Sequence, residues 1–265
     1  MKPRALVLHA AGSNRDPDAA FALSLAGADP EIVHVNALRA GERRFSDFQL
    51  MVIPGGFSYA DALGAGKLFA LDLASYFADE VGEFVASGKP VIGICNGFQT
   101  LVKAGILPGI LPGIDPVAPG SRNVTLGHNE NGRFECRWVA LRAGKSPCIW
   151  THGIDELVVC PVAHGEGRFQ IASAEAGTAI EAAGLVALRY ARPEGSPANG
   201  LWPWNPNGSW CDTAGICNSK GNVLGLMPHP ENNVLAGSGI RAYAGGRSGV
   251  GLEIFRNGVD CAAQR

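Results

Sequence analysis

A short apolar run that ends at a cysteine decides the fold: Val91-Ile92-Gly93-Ile94-Cys95-Asn96-Gly97-Phe98-Gln99. Residues 91–94 have the length and composition of a buried strand, and the apolar residues after the cysteine repeat at helical spacing until Gly105. Cys95 therefore lies at a sharp turn from a strand to a helix. The glycines two residues before and two residues after it let other backbone approach this turn closely.

Segments of the same two kinds alternate before this turn. The predicted strands of the first half are 5–8, 31–35, 50–53 and 91–94, and the predicted helices are 16–26, 66–77, 79–87 and the one that follows Cys95. Nearly all-apolar strands that alternate with helices indicate a parallel sheet covered on both faces.

The second half has a different pattern. Longer alternating strands are predicted at 134–141, 157–162 and 185–190, then an ordered surface loop at 191–210, a hairpin of 214–217 and 223–227, and a closing helix at 251–258. The sequence contains no internal repeat and no low-complexity linker. We therefore predict a single α/β domain over 1–265, with a mostly parallel sheet flanked by helices and an antiparallel β extension in the second half.

The composition argues against several classes of partner. Charged residues are 17% of the 265, the net charge is −2, and no basic run exceeds a pair such as Arg43-Arg44, so no nucleic-acid partner is expected. No apolar stretch approaches the ~20 residues that span a bilayer, so we expect no membrane partner and a cytoplasmic location. Seven irregularly spaced cysteines without a Cys-x-x-Cys pair argue against a disulfide framework and a metal site.

A histidine and a carboxylate two residues apart, in His229-Pro230-Glu231, supply the second part of the candidate chemistry. Pro230 favours an extended conformation for His229, and residues two apart in an extended chain point to the same side. Glu231 can then orient the imidazole while a helix N-terminus favours the thiolate form of Cys95. Cys95, His229 and Glu231 are thus candidates for nucleophile, base and orienting acid. The alternatives are an inert buried cysteine and a strand end that exposes two polar side chains.

A glycine pair follows another predicted buried strand, in Pro54-Gly55-Gly56-Phe57-Ser58. It is expected at the carboxyl edge of the sheet, where ligands of open α/β sheets bind. We predict that the N–H groups of Gly56 and Asn96 form an oxyanion hole with two donors. The alternative is an ordinary glycine-rich turn.

Three further segments have a distinctive composition. His164-Gly165-Glu166-Gly167-Arg168-Phe169 places ionisable side chains among glycines, so we expect it to line a polar site. Asn205-Pro206-Asn207-Gly208-Ser209 has the composition of a turn. Gly64-Ala65-Gly66-Lys67 looks like the end of a phosphate-binding loop, but Leu68 follows it and the first glycine of that motif is missing, so we expect no nucleotide site.

Five of these motifs occur together in one order. They are Gly-Gly-Phe-Ser-Tyr at 55–59, Gly-Ile-Cys-Asn-Gly-Phe-Gln at 93–99, His-Gly-Glu-Gly-Arg-Phe at 164–169, Asn-Pro-Asn-Gly-Ser at 205–209 and Met-Pro-His-Pro-Glu at 227–231. Together they resemble the glutaminase subunits of phosphoribosylformylglycinamidine synthases, a family of class I (triad) glutamine amidotransferases in purine synthesis. The cysteine turn and the His-Pro-Glu motif are shared across class I, whereas the other three motifs point to this family.

The resemblance implies a flavodoxin-like core and the hydrolysis of L-glutamine to glutamate and ammonia by a Cys95-His229-Glu231 triad. It also implies that a separate synthetase subunit uses the ammonia to convert formylglycinamide ribonucleotide to formylglycinamidine ribonucleotide. ATP and Mg²⁺ are expected on that synthetase partner, no cofactor is expected in this chain, and a small third subunit is expected to bridge the two.

The motif match also implies roles for residues around the triad. Gly56 and Asn96 would donate to the oxyanion, Gln99 would contact the glutamine substrate, and His164 and Glu166 would line the same pocket. Two positions depart from the family pattern: Ala60 stands where a glycine is common, and Asn232 follows Glu231 where arginine is common.

Two rival functions remain open from the sequence. A cysteine hydrolase or chaperone of the flavodoxin-like superfamily commonly has histidine immediately after the nucleophile, whereas this chain has Asn96. A non-catalytic interaction subunit would commonly have lost a member of the triad, but Cys95, His229 and Glu231 are all present.

Overall fold

A nine-stranded sheet forms the centre of the structure, a computed structural model that describes residues 2–111, 122–236 and 249–264. The strands in chain order are β1 Arg4–His9, β2 Asp29–His34, β3 Leu50–Ile53, β4 Val91–Ile94, β5 Val124–Gly127, β6 Glu135–Ala143, β7 Val158–His164, β8 Arg168–Ile171, β9 Val186–Ala191, β10 Thr213–Cys217 and β11 Val223–Leu226. The α-helices are α1 Asp16–Ala26, α2 Val35–Arg39, α3 Lys67–Ser75, α4 Ala78–Ala86, α5 Asn96–Lys103, α6 Ala174–Ala182 and α7 Gly251–Ala263.

One half of the sheet is parallel. Its strand order is β2-β1-β3-β4-β11, and each neighbouring pair runs in the same direction. Every residue of β3, β4 and β11 is buried, because these central strands are covered on both faces. Helix α5 packs against all three of them, and α1 packs against α7.

The other half of the sheet is antiparallel. It continues from β11 in the order β10-β9-β6-β7, with every pair antiparallel. The predicted hairpin corresponds to β10 and β11. The predicted α/β fold, with a parallel sheet flanked by helices and an antiparallel extension, is confirmed.

Two features of the second half were not predicted. β5 and β8 form a separate two-stranded antiparallel sheet, and α6 lies between β8 and β9. A local signal for α6 was available, because Ser173 caps the helix by accepting a hydrogen bond from the backbone N–H of Ala176 at 3.2 Å.

The antiparallel half curls back over the carboxyl end of the parallel half. β7 is the last strand in the pairing order, yet the backbone N–H of His229, just after β11, donates to Pro161 O at 2.8 Å. The side-chain amide of Asn233 also donates to Val159 O at 2.6 Å. This curvature places the end of β7 beside the ends of the central strands.

The closing helix is longer than the predicted 251–258. Gly258 does not end α7, because the helix continues to Ala263. The glycine is required by packing instead, since a Cβ on Gly258 would lie 2.1 Å from the ring of the buried Trp150. Within the described ranges, no helix combines the length and the apolar character needed to span a bilayer.

Candidate active site

The candidate site residues follow three neighbouring parallel strands. β3, β4 and β11 lie side by side in the same direction, so their carboxyl ends meet at one edge of the sheet. Gly55 and Gly56 follow β3, Cys95 follows β4, and His229 follows β11. The topology therefore brings these residues together at the edge where ligands bind in α/β sheets.

Cys95 has a strained backbone conformation at the start of α5. Its φ of 52° and ψ of −105° are rare for a residue with a side chain and cost about 1–3 kcal/mol. The flanking glycines make the turn possible, as predicted. A Cβ on Gly97 would lie 1.9 Å from Ile53 O, and a Cβ on Gly93 would lie 2.6 Å from Gly97 O.

His229 and Glu231 are buried and in direct contact. Nδ1 of His229 lies 2.6 Å from Oε1 of Glu231. His229 is non-helical, as predicted from Pro230, with a φ of −107° and a ψ of 83°. The predicted extended course beyond it is wrong, because Pro230–Asn232 forms a short 3₁₀ turn in which Asn232 N–H donates to His229 O at 3.2 Å. Pro230 occupies the first position of this turn, where its missing N–H is tolerated. The turn, rather than an extended chain, brings the carboxylate to the imidazole.

The electrostatics of His229 favour the protonated ring. Burial alone would lower the pKa of His229, but the negative charges of Glu231 and Cys95 outweigh it and raise the pKa to about 10. The second ring nitrogen, Nε2, is buried, and a side-chain interaction between the ring and the Cys95 thiol is among the causes of the raised pKa. A methyl group on Gly55 would lie 2.7 Å from Cε1 of His229 and 3.4 Å from Cβ of Cys95, so both side chains adjoin this glycine.

The two predicted oxyanion donors lie at the same edge of the sheet. Gly56 has a φ of 128°, and a Cβ there would lie 2.7 Å from the backbone nitrogen of Asn14, so a side chain is excluded. The next residue is fixed by a hydrogen bond from Phe57 N–H to Gly12 O at 3.1 Å. Asn96 is the first residue of α5, and such an N–H has no acceptor within its own helix.

A cavity of about 220 Å³ opens beside Cys95. Its lining includes five predicted residues, Gly56, Cys95, Gln99, His164 and Glu166, and also Asp61, which was not predicted. A larger groove of about 460 Å³ around Phe45 and Lys89 is lined by neither cysteine nor histidine. The smaller cavity is therefore the one suited to covalent chemistry.

Gln99 is hydrogen-bonded at both ends of its amide. Its Nε2 donates to Glu166 O at 2.5 Å, and its Oε1 accepts from Asn96 Nδ2 at 3.2 Å. The same Nδ2 donates to Asp61 Oδ1 at 3.0 Å. Besides lining the cavity, Gln99 thus fixes the backbone that presents Glu166.

His164 is held in one tautomer by Asn129. The Nδ2 of Asn129 donates to the backbone oxygens of Arg133 and His164, both at 2.8 Å, so its Oδ1 faces the ring. That oxygen accepts from Gly167 N–H at 3.1 Å and lies 3.0 Å from His164 Nδ1, which must carry the proton. Burial and, secondarily, the charge of His229 lower the pKa of His164 to about 4. The His164 ring is therefore neutral near pH 7. No pattern in the sequence could have identified Asn129 as its partner.

The 205–209 segment is more than a turn. Asn207 Nδ2 donates to Gly167 O at 2.8 Å, and Ser209 Oγ accepts from Phe169 N–H at 2.9 Å. Both side chains are buried. They connect this segment to the 164–169 segment and so support the wall of the cavity.

Four of the other six cysteines have surroundings unlike those of Cys95. Cys160 is fully buried, and burial together with the charge of Glu231 raises the pKa of its thiol. Cys148 is also fully buried, and burial raises its pKa. Cys136 and Cys211 are exposed on the surface. Among these residues, Cys95 is the one at the strand-helix turn beside His229.

Comparisons with known proteins agree with this geometry. The family model described as CobB/CobQ-like glutamine amidotransferase domain matches residues 2–261. The chain belongs to this family. The class I amidotransferase resemblance predicted from the motifs is therefore confirmed.

Individual relatives indicate which members of the family this chain is similar to. The chain is 56% identical over 267 residues to the phosphoribosylformylglycinamidine synthase subunit PurQ of Treponema denticola, covering 98% of this chain and 99% of the relative. It is 41% identical over 266 residues to the PurQ subunit of Dehalococcoides mccartyi, covering 99% of both. A chain in the structure of PurLQS from Thermotoga maritima superposes on this chain with a TM-score of 0.71 and is 32% identical to it. The match covers 98% of this chain and 99% of that chain.

Proposed function

We propose that this chain is the glutaminase subunit of a phosphoribosylformylglycinamidine synthase and hydrolyses L-glutamine to L-glutamate and ammonia. The observation that carries the proposal is the buried His229–Glu231 pair, 2.6 Å apart, at the sheet edge where Cys95 directly precedes α5. A nucleophile, a base and a group that orients the base are the parts needed for nucleophilic acyl transfer. The PurQ relatives support glutamine as the acyl donor.

The reaction has two halves. The Cys95 thiolate attacks the side-chain amide carbon of glutamine, and the carbon–nitrogen bond breaks as the His229 proton passes to the leaving nitrogen, which releases ammonia. Water then adds to the glutamyl thioester while His229 takes its proton. The carbon–sulfur bond breaks, and glutamate leaves with the thiolate restored.

Both tetrahedral intermediates carry a negative oxygen. The N–H groups of Gly56 and Asn96 are proposed as its donors, and losing one such donor commonly lowers the rate by roughly 10²–10³-fold. The neutral His164, with its Nε2 free of a partner among the described residues, is proposed to accept a hydrogen bond inside the same cavity.

The ammonia is proposed to pass to a synthetase subunit, which uses it to convert formylglycinamide ribonucleotide to formylglycinamidine ribonucleotide. ATP and Mg²⁺ are assigned to that partner, and a small third subunit is proposed to bridge the complex. One chain in the PurLQS structure of Thermotoga maritima matches this chain over almost its full length. That match supports a multi-subunit arrangement.

The proposal is tested by labelling with 6-diazo-5-oxo-L-norleucine, a glutamine analogue with an electrophilic carbon. We expect stoichiometric modification of Cys95, found by peptide mapping, and parallel loss of ammonia release from glutamine. Cys95→Ala should abolish both, whereas the matched surface variant Cys136→Ala should retain both. Labelling at another cysteine, or glutamine hydrolysis by Cys95→Ala, would contradict the proposed function.

A further inference from the structure

Two carboxylates share the cavity with the nucleophile. Asp61 and Glu166 both line it, and each is partly buried. They are close enough that the charge of Glu166 adds to burial in raising the pKa of Asp61. Lys103 lies behind them, with its Nζ 3.7 Å from Oε2 of Glu166, and its positive charge also acts on Asp61. The cavity is therefore lined by two carboxylates that share one neighbouring cation.

Asp61 is held by the residue that follows the nucleophile. Asn96 Oδ1 accepts a hydrogen bond from Ser58 Oγ at 2.5 Å, which turns its Nδ2 toward Asp61 Oδ1 at 3.0 Å. The φ of Asp61 is 52°, a left-handed conformation that a residue with a side chain adopts only when its surroundings require it. The hydrogen bond thus ties the Asp61 carboxylate to Asn96, the residue that follows Cys95.

Glu166 is fixed by a different contact. Its backbone oxygen accepts from Gln99 Nε2, and Gln99 in turn belongs to α5, the helix that begins after Cys95. Both carboxylates are therefore tied to α5, one through Asn96 and the other through Gln99.

A second observation indicates what the cavity is built to receive. His164 lines it as well, is 3% exposed, and has a buried Nε2 without a partner among the residues described. Because Nδ1 carries the proton, Nε2 is an acceptor. Two carboxylates line this small space next to a histidine with a buried acceptor nitrogen, and a ligand that supplies N–H donors and a positive charge suits such a lining.

We infer that Asp61 and Glu166 form the subsite for the α-ammonium group of the amino-acid substrate. The inference rests on the proposed function, since glutamine carries this ammonium group only a few bonds away from the amide carbon that Cys95 attacks. The pair would select free amino acids over amides that lack the α-amino group. It assigns a recognition role to Asp61, for which the sequence offered no signal.

The test compares two electrophiles that alkylate the same thiol. 6-Diazo-5-oxo-L-norleucine carries an α-ammonium group, whereas iodoacetamide does not. In Asp61→Asn and, separately, in Glu166→Gln, labelling of Cys95 by the first reagent should slow by about 10- to 100-fold, the usual effect of losing a hydrogen bond to a charged group. Labelling of Cys95 by iodoacetamide should stay within about twofold of the wild type, as measured by peptide mapping.

Controls separate this inference from the proposed function. The surface variant Asp79→Asn, in the first turn of α4, should match the wild type with both reagents. The kcat/KM for glutamine should fall in the two cavity variants in parallel with diazo-oxo-norleucine labelling. Equal slowing with both reagents, or no slowing with either, would overturn the α-ammonium subsite. The triad assignment is tested independently, by whether the wild type is labelled at Cys95 and releases ammonia.

Discussion

Gly55 lies directly against the imidazole of His229. A methyl group on this glycine would lie 2.7 Å from Cε1 and 3.4 Å from Nδ1, and the same methyl would reach within 3.4 Å of Cβ of Cys95. The space between nucleophile and base is therefore set by the absence of a side chain at 55. The two glycines after β3 are thus required for different reasons. Gly55 leaves room for His229, whereas a side chain on Gly56 would collide with Asn14.

Replacing Gly55 by alanine should disable the site without unfolding the protein. The new methyl group would push the His229 ring out of line with Cys95, and a misplacement of about 1 Å can lower a rate by ~10²-fold. We expect kcat/KM for glutamine to fall by about that factor or more, with a urea midpoint close to the wild type. The matched control is Gly82→Ala in α4, where a Cβ meets nothing within 4 Å and activity should be unchanged. Full activity in Gly55→Ala would mean that the imidazole is not confined as described.

The two members of the buried pair should differ in the severity of their loss. In the proposed reaction His229 transfers the proton, whereas Glu231 orients the ring and stabilises its charged form, so His229→Ala should lower kcat by roughly 10⁴-fold or more. Glu231→Gln should leave a reduced but measurable rate. Steady-state ammonia release measures both, and the exposed His152→Ala serves as the control that should keep wild-type turnover. Comparable turnover in His229→Ala and the wild type would exclude His229 as the base.

The placement of Cys95 at the same sheet edge as His229 and Glu231 could be predicted because it depends on local patterns. An apolar strand, a cysteine and two flanking glycines define the turn at Cys95, and parallel neighbours place the ends of their strands together. The His229–Glu231 contact was predicted for the wrong reason, since the chain turns at Pro230 instead of running extended. The contact survives because a 3₁₀ turn also brings residues two apart close together.

The rest of the site depends on contacts that are distant in sequence. β7 reaches the cavity only because the antiparallel half curls back, and no local pattern specifies that curvature. Asn129 and Asp61 act through hydrogen bonds to distant segments, so periodicity and composition give no sign of them. Gly258 has the sequence pattern of a helix end. It is a glycine because the Trp150 ring, 108 positions earlier in the chain, packs against it and leaves no room for a side chain.

Ala60, the departure from the family's common glycine, occupies a left-handed conformation. Its φ is 54° and its ψ is 29°, and its neighbours Tyr59 and Asp61 also have positive φ values, 53° and 52°. The turn is held in part by a hydrogen bond from the Tyr59 hydroxyl to Asp72 at 2.5 Å. The strain at Ala60 is thus maintained by contacts on either side of it.

Ala60→Gly should therefore stabilise the fold. Removing the Cβ relieves about 1–2 kcal/mol of left-handed strain, partly offset by the greater freedom of glycine in the unfolded chain. We expect the free energy of unfolding in urea to rise by about 0.5–1 kcal/mol. The matched control Ala74→Gly, at an exposed position inside α3, should lower it by about 1 kcal/mol because glycine disfavours a helix. A loss of stability in Ala60→Gly would show that the methyl group makes contacts worth more than the strain.

His164 should make stability depend on pH in the acid range. Its folded-state pKa, lowered to about 4 by burial, lies below the ~6.5 of an unfolded histidine, so between these values the unfolded chain binds the proton more tightly. The contribution of His164 to the free energy of unfolding is complete above about pH 6.5. It is lost as the pH falls toward 4, by about 3 kcal/mol in all. Urea unfolding at several values between pH 4 and 7 should give a steeper decline for the wild type than for His164→Gln, whose side chain does not titrate. The exposed His152→Gln should retain the wild-type slope. Parallel curves for wild type and His164→Gln would mean that the imidazole accepts a proton in the folded protein as readily as in the unfolded chain, and would remove the neutral acceptor from the cavity.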